Sequence, residues 1–265
     1  MDLNDAVVVV TGASSGFGEI ASRMFAAEGA AVVLAARRLE RLEAIAEWIA
    51  AHGGTALPVG CDVARLGDLQ ELRERVDEAY GRCDVLVNNA GIRGGGLFES
   101  DTVESIERVV RVNLLGVMLG TKVFLPMMLE RGSGHIVNVS SLAGRFATPS
   151  ASVYAATKHG VIAFSESLYH ELGPRGVLVT SVNPGFSPTE GFPQTGMPSI
   201  VQLKPERVAR AIVDVVKEGK APEVSVPRAM GPLQAFRVLT PPLYRWGVRT
   251  ASRRVTKPGT KRDER

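Results

Sequence analysis

The chain is poor in cysteine, in aromatic residues and in long apolar runs. Cys61 and Cys83 are its only thiols in 265 residues. Neither has a CxxC or Cys/His partner nearby, which argues against a disulfide framework or a zinc site. The pair fits a reducing, intracellular compartment. His52, His135, His159 and His170 show no metal spacing, so no metal is expected. No run of about 18 apolar residues is visible, so no spanning helix is expected. The opening Met1-Asp2-Leu3-Asn4-Asp5 is acidic, unlike the positive start of a secretory signal.

A net positive charge is also lacking until the end. Residues 245–265 hold eight Lys/Arg against two Asp/Glu, so a formal charge of +3 for the whole chain leaves −3 for everything before them. A nucleic-acid-binding body is not implied, and no nucleic-acid partner is expected.

What the chain has is a repeated alternation. Ala6–Val10 contains four valines in a row and reads as a buried strand. Further strands are predicted at Ala31–Ala36, Thr55–Cys61, Asp84–Val87, Gly134–Val139, Val177–Val182 and Glu223–Val226. Helical patterns fall between them, at Leu39–His52 and around 66–80, 103–130, 152–172 and 205–218. Apolar strands alternating with helices predict βαβ crossovers and a parallel sheet covered on both faces. The expected fold is a single-domain α/β, doubly wound, Rossmann-type sheet of about seven strands with helices on both faces. This domain is expected to span 1–228, with a basic C-terminal extension at 229–265. Residues 186–204 are rich in Gly, Pro, Ser and Thr, yet carry Phe186, Phe192, Met197 and Ile200. They read as a mobile loop with an apolar underside.

The turn Thr11-Gly12-Ala13-Ser14-Ser15-Gly16-Phe17-Gly18 follows the first strand and opens a helix. Glycine lets the backbone turn tightly and approach a ligand. Free N–H groups and the positive helix end suit a pyrophosphate. The spacing is GxxxGxG, so its placement between strand and helix carries the assignment. The second strand ends in Ala36-Arg37-Arg38, without the carboxylate that accepts from an NAD ribose. Two guanidiniums there suit a 2′-phosphate. NADP(H) is therefore expected over NAD(H), although Arg38 and Arg41 also fit as plain surface charges.

Polar residues gather at the carboxyl ends of the later strands, where open α/β sheets bind ligands. Asn88-Asn89-Ala90-Gly91 follows the fourth strand and Ser140-Ser141 the fifth. Pro184-Gly185 closes the sixth, with Phe186 and Thr189 beyond. Tyr154 and Lys158 stand at i, i+4 on one helix face. Asn113 sits mid-helix, where Asn has poor propensity. Taken singly, each also fits a structural role. Together they resemble the short-chain dehydrogenase/reductase family over about residues 4–228. The matching pieces are TGASSGFG at 11–18, NNAG at 88–91, Asn113, Ser141, YAATK at 154–158 and PGFSPT at 184–189. Ser141 and Tyr154 are 13 residues apart, the family interval.

The resemblance implies hydride transfer between a nicotinamide and a carbonyl or secondary alcohol. It implies Tyr154 as acid in reduction and base in oxidation. Ser141 would hold the substrate oxygen. Lys158 would favour the phenolate and bind the nicotinamide ribose. Asn113 would anchor a water linking Lys158 to solvent. Cofactor contacts are implied for Gly12, Ser14, Ser15, Gly16, Phe17, Gly18, Arg37, Arg38, Tyr154 and Lys158. They extend to Asp62 and Val63 at the adenine, Asn89, Ala90 and Gly91 at the ribose, Pro184, Gly185 and Phe186, and Thr189 at the carboxamide. Ser15 stands where NADP-using relatives often carry a basic residue, which leaves the phosphate to Arg37 and Arg38.

Phe98, Leu142, Phe146, Phe186 and Phe192 point to an apolar substrate. The alternative from another class is an NADPH-binding regulator without turnover, which would be expected to have lost Tyr or Lys from this set. In the extension, Pro241-Pro242 predicts two short amphipathic pieces, because proline breaks a helix. Leu233, Phe236, Leu239, Leu243, Tyr244 and Trp246 alternate there with arginines. Such a segment either packs on its own body or a second subunit, or lies on an anionic membrane. Residues 232–248 are expected to be ordered and 255–265 frayed. The chain lacks the short ending common in tetrameric relatives; a homodimer or homotetramer is expected. The expected location is the cytoplasm, with membrane association through the tail.

Overall fold

Side chains on a strand alternate between faces, so an unbroken valine run feeds two cores at once. Val8 and Val10 enter a cluster with Val32, Leu34 and Phe25. Val7 and Val9 enter a second cluster with Val33, Leu69, Phe124 and Ile136. All four valines are at most 2% exposed, which requires cover on both faces.

The computed structural model describes residues 1–94, 96–147, 149–193, 202–219 and 222–252. Met197, Ile200 and residues 253–265 lie outside them, as do the side chains of Leu233 and Phe236. The strands are β1 (Val7–Thr11), β2 (Ala31–Ala36), β3 (Thr55–Gly60), β4 (Val85–Asn88), β5 (Gly134–Val139), β6 (Val177–Pro184) and β7 (Glu223–Val226). They form one seven-stranded sheet in the order β3-β2-β1-β4-β5-β6-β7. Every neighbouring pair is parallel. This is the expected doubly wound sheet. The winding reverses between β1 and β4, and the crevice beyond their carboxyl ends is where such sheets hold ligands. β6 runs two residues further than expected because Asn183 and Pro184 pair with Ser225 and Val226 of β7.

Helices α1 (Gly16–Ala27), α2 (Leu39–Ala51) and α7 (Pro205–Glu218) cover the first face. Helices α3 (Leu66–Tyr80), α5 (Gly116–Arg131) and α6 (Ser152–Leu172) cover the second. A π turn at Arg111–Leu115 joins α4 (Val103–Val110) to α5. The resulting Val103–Arg131 helix is long and apolar enough to cross a membrane by length and composition, its most apolar 18-residue window having a mean hydropathy of 1.6. It is not an unbroken apolar run, because Asn113, Thr121 and Lys122 interrupt it. Its place in the fold is nonetheless a core one, because Val117, Phe124, Met127 and Met128 are buried.

After β7 come α8 (Met230–Leu239) and α9 (Pro241–Ser252). They divide at Thr240, as the proline pair requires. Gln234 Nε2 donates to Ser225 Oγ at 3.0 Å, and Tyr244 Oη donates to the Ala147 carbonyl at 3.4 Å. The Tyr244 ring lies 6.2 Å from that of Phe146. The extension therefore packs on its own body, and it reaches the segment after β5.

Candidate active site

The turn after β1 is closed by contact with the end of β4. Gly12 has a φ of +67°, and a Cβ there would meet Ala90 Cα at 2.8 Å. A Cβ on Gly18 would lie 2.4 Å from the Gly12 carbonyl oxygen. Thr11 Oγ1 accepts from the Asn89 and Ala90 N–H groups at 3.0 and 3.2 Å. Asn89 Nδ2 donates to the Thr11 carbonyl at 2.9 Å. Sequence reasoning placed Asn89 at a ribose; the structure commits its amide to pinning the switch point. Asp62 Oδ1 accepts from the Ala64 N–H at 3.0 Å. Val63 is buried and packs close to Gly116. Ser15 precedes α1 without capping it through its side chain. Glycine geometry at an uncapped helix start fits a pyrophosphate.

At the end of β2 the two arginines diverge. Arg37 is exposed. Arg38 reaches back to the turn: its Nε and a terminal nitrogen donate to Ser14 Oγ at 3.2 and 3.0 Å. The same terminal nitrogen donates to Ser15 Oγ at 2.9 Å. Its other terminal nitrogen meets Glu190 at 2.5 Å, and Arg41 meets the second oxygen of Glu190 at 2.5 Å. Hydrogen bonds from Arg38 and Arg41 hold the Glu190 carboxyl below the usual carboxylate range. Neither Arg41 nor Glu190 was picked out from sequence as a cofactor contact.

The catalytic set converges from β5, α6 and the π turn. Ser141 caps the turn Leu142–Gly144, its Oγ accepting from the Ala143 N–H at 3.1 Å, and its side chain acts on the Tyr154 phenol. Burial pushes the Tyr154 phenol up to about 12, and the Ser141 side chain pulls the other way. Lys158 Nζ donates to the Val139 carbonyl at 2.8 Å and lies 5.8 Å from the centre of the Tyr154 ring. Desolvation draws its ammonium down to about 8. Asn113 is fully buried. Its Oδ1 accepts from the Ile92 N–H at 2.8 Å and its Nδ2 donates to the Ile92 carbonyl at 2.9 Å. A π turn under a functional residue is a recurrent device, and here it aims Asn113 at the irregular segment after Gly91.

Beneath this set lies a buried network that sequence reasoning missed. Asn88 Nδ2 donates to Thr121 Oγ1 at 3.1 Å and to Asn138 Oδ1 at 2.9 Å. Asn138 Nδ2 donates to Ser165 Oγ at 2.9 Å, and Ser140 Oγ donates to the Lys158 carbonyl at 2.9 Å. The available signal was an asparagine inside each of two apolar strands. On the loop after β6, the Gly185 N–H donates to the Val226 carbonyl at 2.8 Å. Phe186 is half exposed, Thr189 bridges to Phe192, and the Phe192 ring lies 5.9 Å from that of Tyr154.

The family of short chain dehydrogenases matches residues 6–196. A ketoacyl reductase, HetN, from Nostoc is 36% identical over 84% of this chain and 79% of its own. A short chain dehydrogenase/reductase from Burkholderia phymatum, solved in complex with NAD, superposes with a TM-score of 0.82 at 29% identity, over 92% of this chain and 96% of its own. Actinorhodin polyketide ketoreductase, solved with NADPH, gives 0.79 at 33% identity, over 84% and 95%. The chain belongs to the short-chain dehydrogenase/reductase family. It is an NAD(P)-dependent oxidoreductase, acting by hydride transfer with a nicotinamide cofactor.

Proposed function

We propose that this protein reduces the carbonyl of an apolar substrate with NADPH, Tyr154 delivering the proton. The observation that carries the reading is the placement of Tyr154 between Ser141 and the buried Lys158. The nicotinamide, when bound, supplies the hydride. A phenol raised to about 12 is protonated at neutral pH, the state a general acid needs. Ser141 holds the substrate oxygen and stabilises the charge that develops on it. Lys158, drawn down to about 8, still carries its charge at pH 7 and favours the phenolate left after proton transfer. Asn113, by fixing Ile92, keeps the segment after Gly91 beside Lys158 in place.

The preference for NADP(H) is supported by Arg38, anchored on Ser14 and Ser15, and by Ala36 in place of an acid at the end of β2. An apolar substrate is supported by Phe192 against Tyr154 and by half-exposed Phe186 nearby. Two similar proteins are by description reductases of ketoacyl or polyketide compounds, so an acyl-chain ketone is the first class to try. A panel of such ketones, followed by NADPH and NADH absorbance, tests the reading. No NADPH consumption with any of them, or equal rates with NADH, would count against it.

The surroundings we propose are the cytoplasm, consistent with the free thiols Cys61 and Cys83, and a homodimer or homotetramer. Exposed Val110 and Leu115 on the long helix support a subunit contact. Light scattering of the purified chain checks it. Peripheral membrane contact is supported by the outer side of the extension. Val238, Leu239, Leu243 and Trp246 are 52–78% exposed there beside Arg245 and the basic tail. Failure to float with anionic liposomes would remove that proposal.

A further inference from the structure

We propose that Glu190 is a built-in competitor for the 2′-phosphate of NADP(H), seated in an anion site made by Arg38 and Arg41. The inference rests on the NADP(H) reading above and adds a selectivity residue from a distant segment. Five side chains converge on one place at the end of β2. Arg38 is held by Ser14 Oγ and Ser15 Oγ on one side and meets one Glu190 oxygen at 2.5 Å on the other. Arg41, in the first turn of α2, meets the second oxygen at 2.5 Å. A guanidinium receives a carboxylate and a phosphate by the same oxygen geometry, so a seat for one is a seat for the other.

Glu190 arrives there on a tight hairpin. The Phe192 N–H donates to the Thr189 carbonyl at 3.0 Å and the Thr189 N–H to the Phe192 carbonyl at 3.3 Å, which leaves Glu190 and Gly191 at the tip. The preceding residue lies on the glycine turn: a Cβ on Gly16 would be 3.2 Å from Thr189 Cβ. The base of the hairpin places Phe192 against Tyr154. One short element thus reaches from the anion site, across the cofactor turn, to the catalytic phenol.

Exchange at this seat is cheap. The side chains of Arg38, Arg41 and Glu190 are 41%, 50% and 51% exposed, so the pairs are solvent-screened and weak. A phosphomonoester brings up to two charges and three acceptor oxygens, and it outcompetes a single carboxylate. A cofactor without the 2′-phosphate has nothing to put there and leaves Glu190 in place. Glu190 therefore lowers the affinity for the phosphorylated cofactor in particular, and the phosphate releases the hairpin from its tip.

The test is Glu190→Gln in the full-length protein, with dissociation constants for NADPH, NADH and 2′-AMP. Losing two exposed ion pairs should tighten NADPH and 2′-AMP about three- to tenfold, with NADH changed less than about twofold. Unchanged 2′-AMP affinity overturns the proposal. Equal tightening of NADPH and NADH also overturns it, because Glu190 would then only pin the hairpin. Failure of the underlying reading is a separate result: wild-type protein binding NADH as tightly as NADPH. In that case tighter 2′-AMP binding by Glu190→Gln still supports an anion seat at Arg38 and Arg41.

Discussion

The two ends of the crevice are built from opposite materials. The Tyr154 end stands on buried, neutral hydrogen bonds: Asn88 to Asn138 to Ser165, and Asn113 to Ile92. The Arg38 end is a rim of exposed ions. A buried donor that loses its partner keeps its full desolvation cost, so the first end has one arrangement. An exposed ion pair is worth little and changes partners readily. Proton transfer needs the fixed end. Choice between two cofactors that differ by one phosphate needs the exchangeable one.

The comparison is sharpened most at Tyr154. Tyr154→Phe should lower turnover by roughly 10²–10⁴-fold while NADPH binding and the thermal midpoint stay near wild type. A variant with substantial residual turnover would show that another group carries the proton.

The amino-end edge of the sheet, opposite the crevice, should be sensitive to acid. His135 is fully buried on β5, its Nε2 2.8 Å from Thr180 Oγ1, and desolvation lowers it from 6.5 to about 4. Above pH 6.5 the ring is neutral both folded and unfolded. As the pH falls, the unfolded chain takes up the proton first, so stability is lost between about 6.5 and about 4. The full loss is about 3 kcal/mol. Urea midpoints from pH 7 to 4 should therefore fall less steeply in His135→Leu. Parallel curves would show that this ring does not set the acid limit.

At the exchangeable end, Arg38→Ala should weaken NADPH by about 1.5–3 kcal/mol, the worth of a charged hydrogen bond, and leave NADH nearly unchanged. Arg37→Ala should do less, because Arg37 is exposed and Arg38 is the arginine bonded to the turn. A reversed ranking by fluorescence titration would move the phosphate seat.

The smallest effect is expected outside both ends. Tyr244→Phe removes a long hydrogen bond to Ala147 at the surface and should cost below about 1 kcal/mol. A larger drop in the urea midpoint would mean that the extension braces the segment after β5.

Much of this was readable from sequence, for physical reasons. Strands buried on both faces must be apolar throughout, so valine runs located β1, β2 and β6. Residues at strand ends occupy the ligand edge of a parallel sheet, which places Ser141 there; Tyr154 and Lys158, on α6, joined it through the resemblance to the family. Side-chain direction was less accessible. Asn89 Nδ2 and Asp62 Oδ1 also serve nearby backbone groups, which no sequence pattern announced. The Arg41–Glu190 pair spans 149 residues, beyond the reach of any local pattern. Asn113 gave a hint through its poor helix propensity, but the extra residue in that turn is invisible to a period of 3.6.

That extra residue makes the long helix sensitive to deletion. Each helical residue turns the chain by about 100°, and a π turn stores the equivalent of one insertion. Removing a single residue from 111–115 would let Val103–Arg131 run as an ordinary helix, but its two halves would no longer face as they do now. Either Phe124, Met127 and Met128 would keep their seats in the core while α4 swung away, or α4 would hold and those three side chains would leave the sheet. Substitutions in that segment change one contact at a time. A one-residue gap there changes the phase of a whole element, so in any shuffled or shortened version of this chain it is the gap that should be avoided.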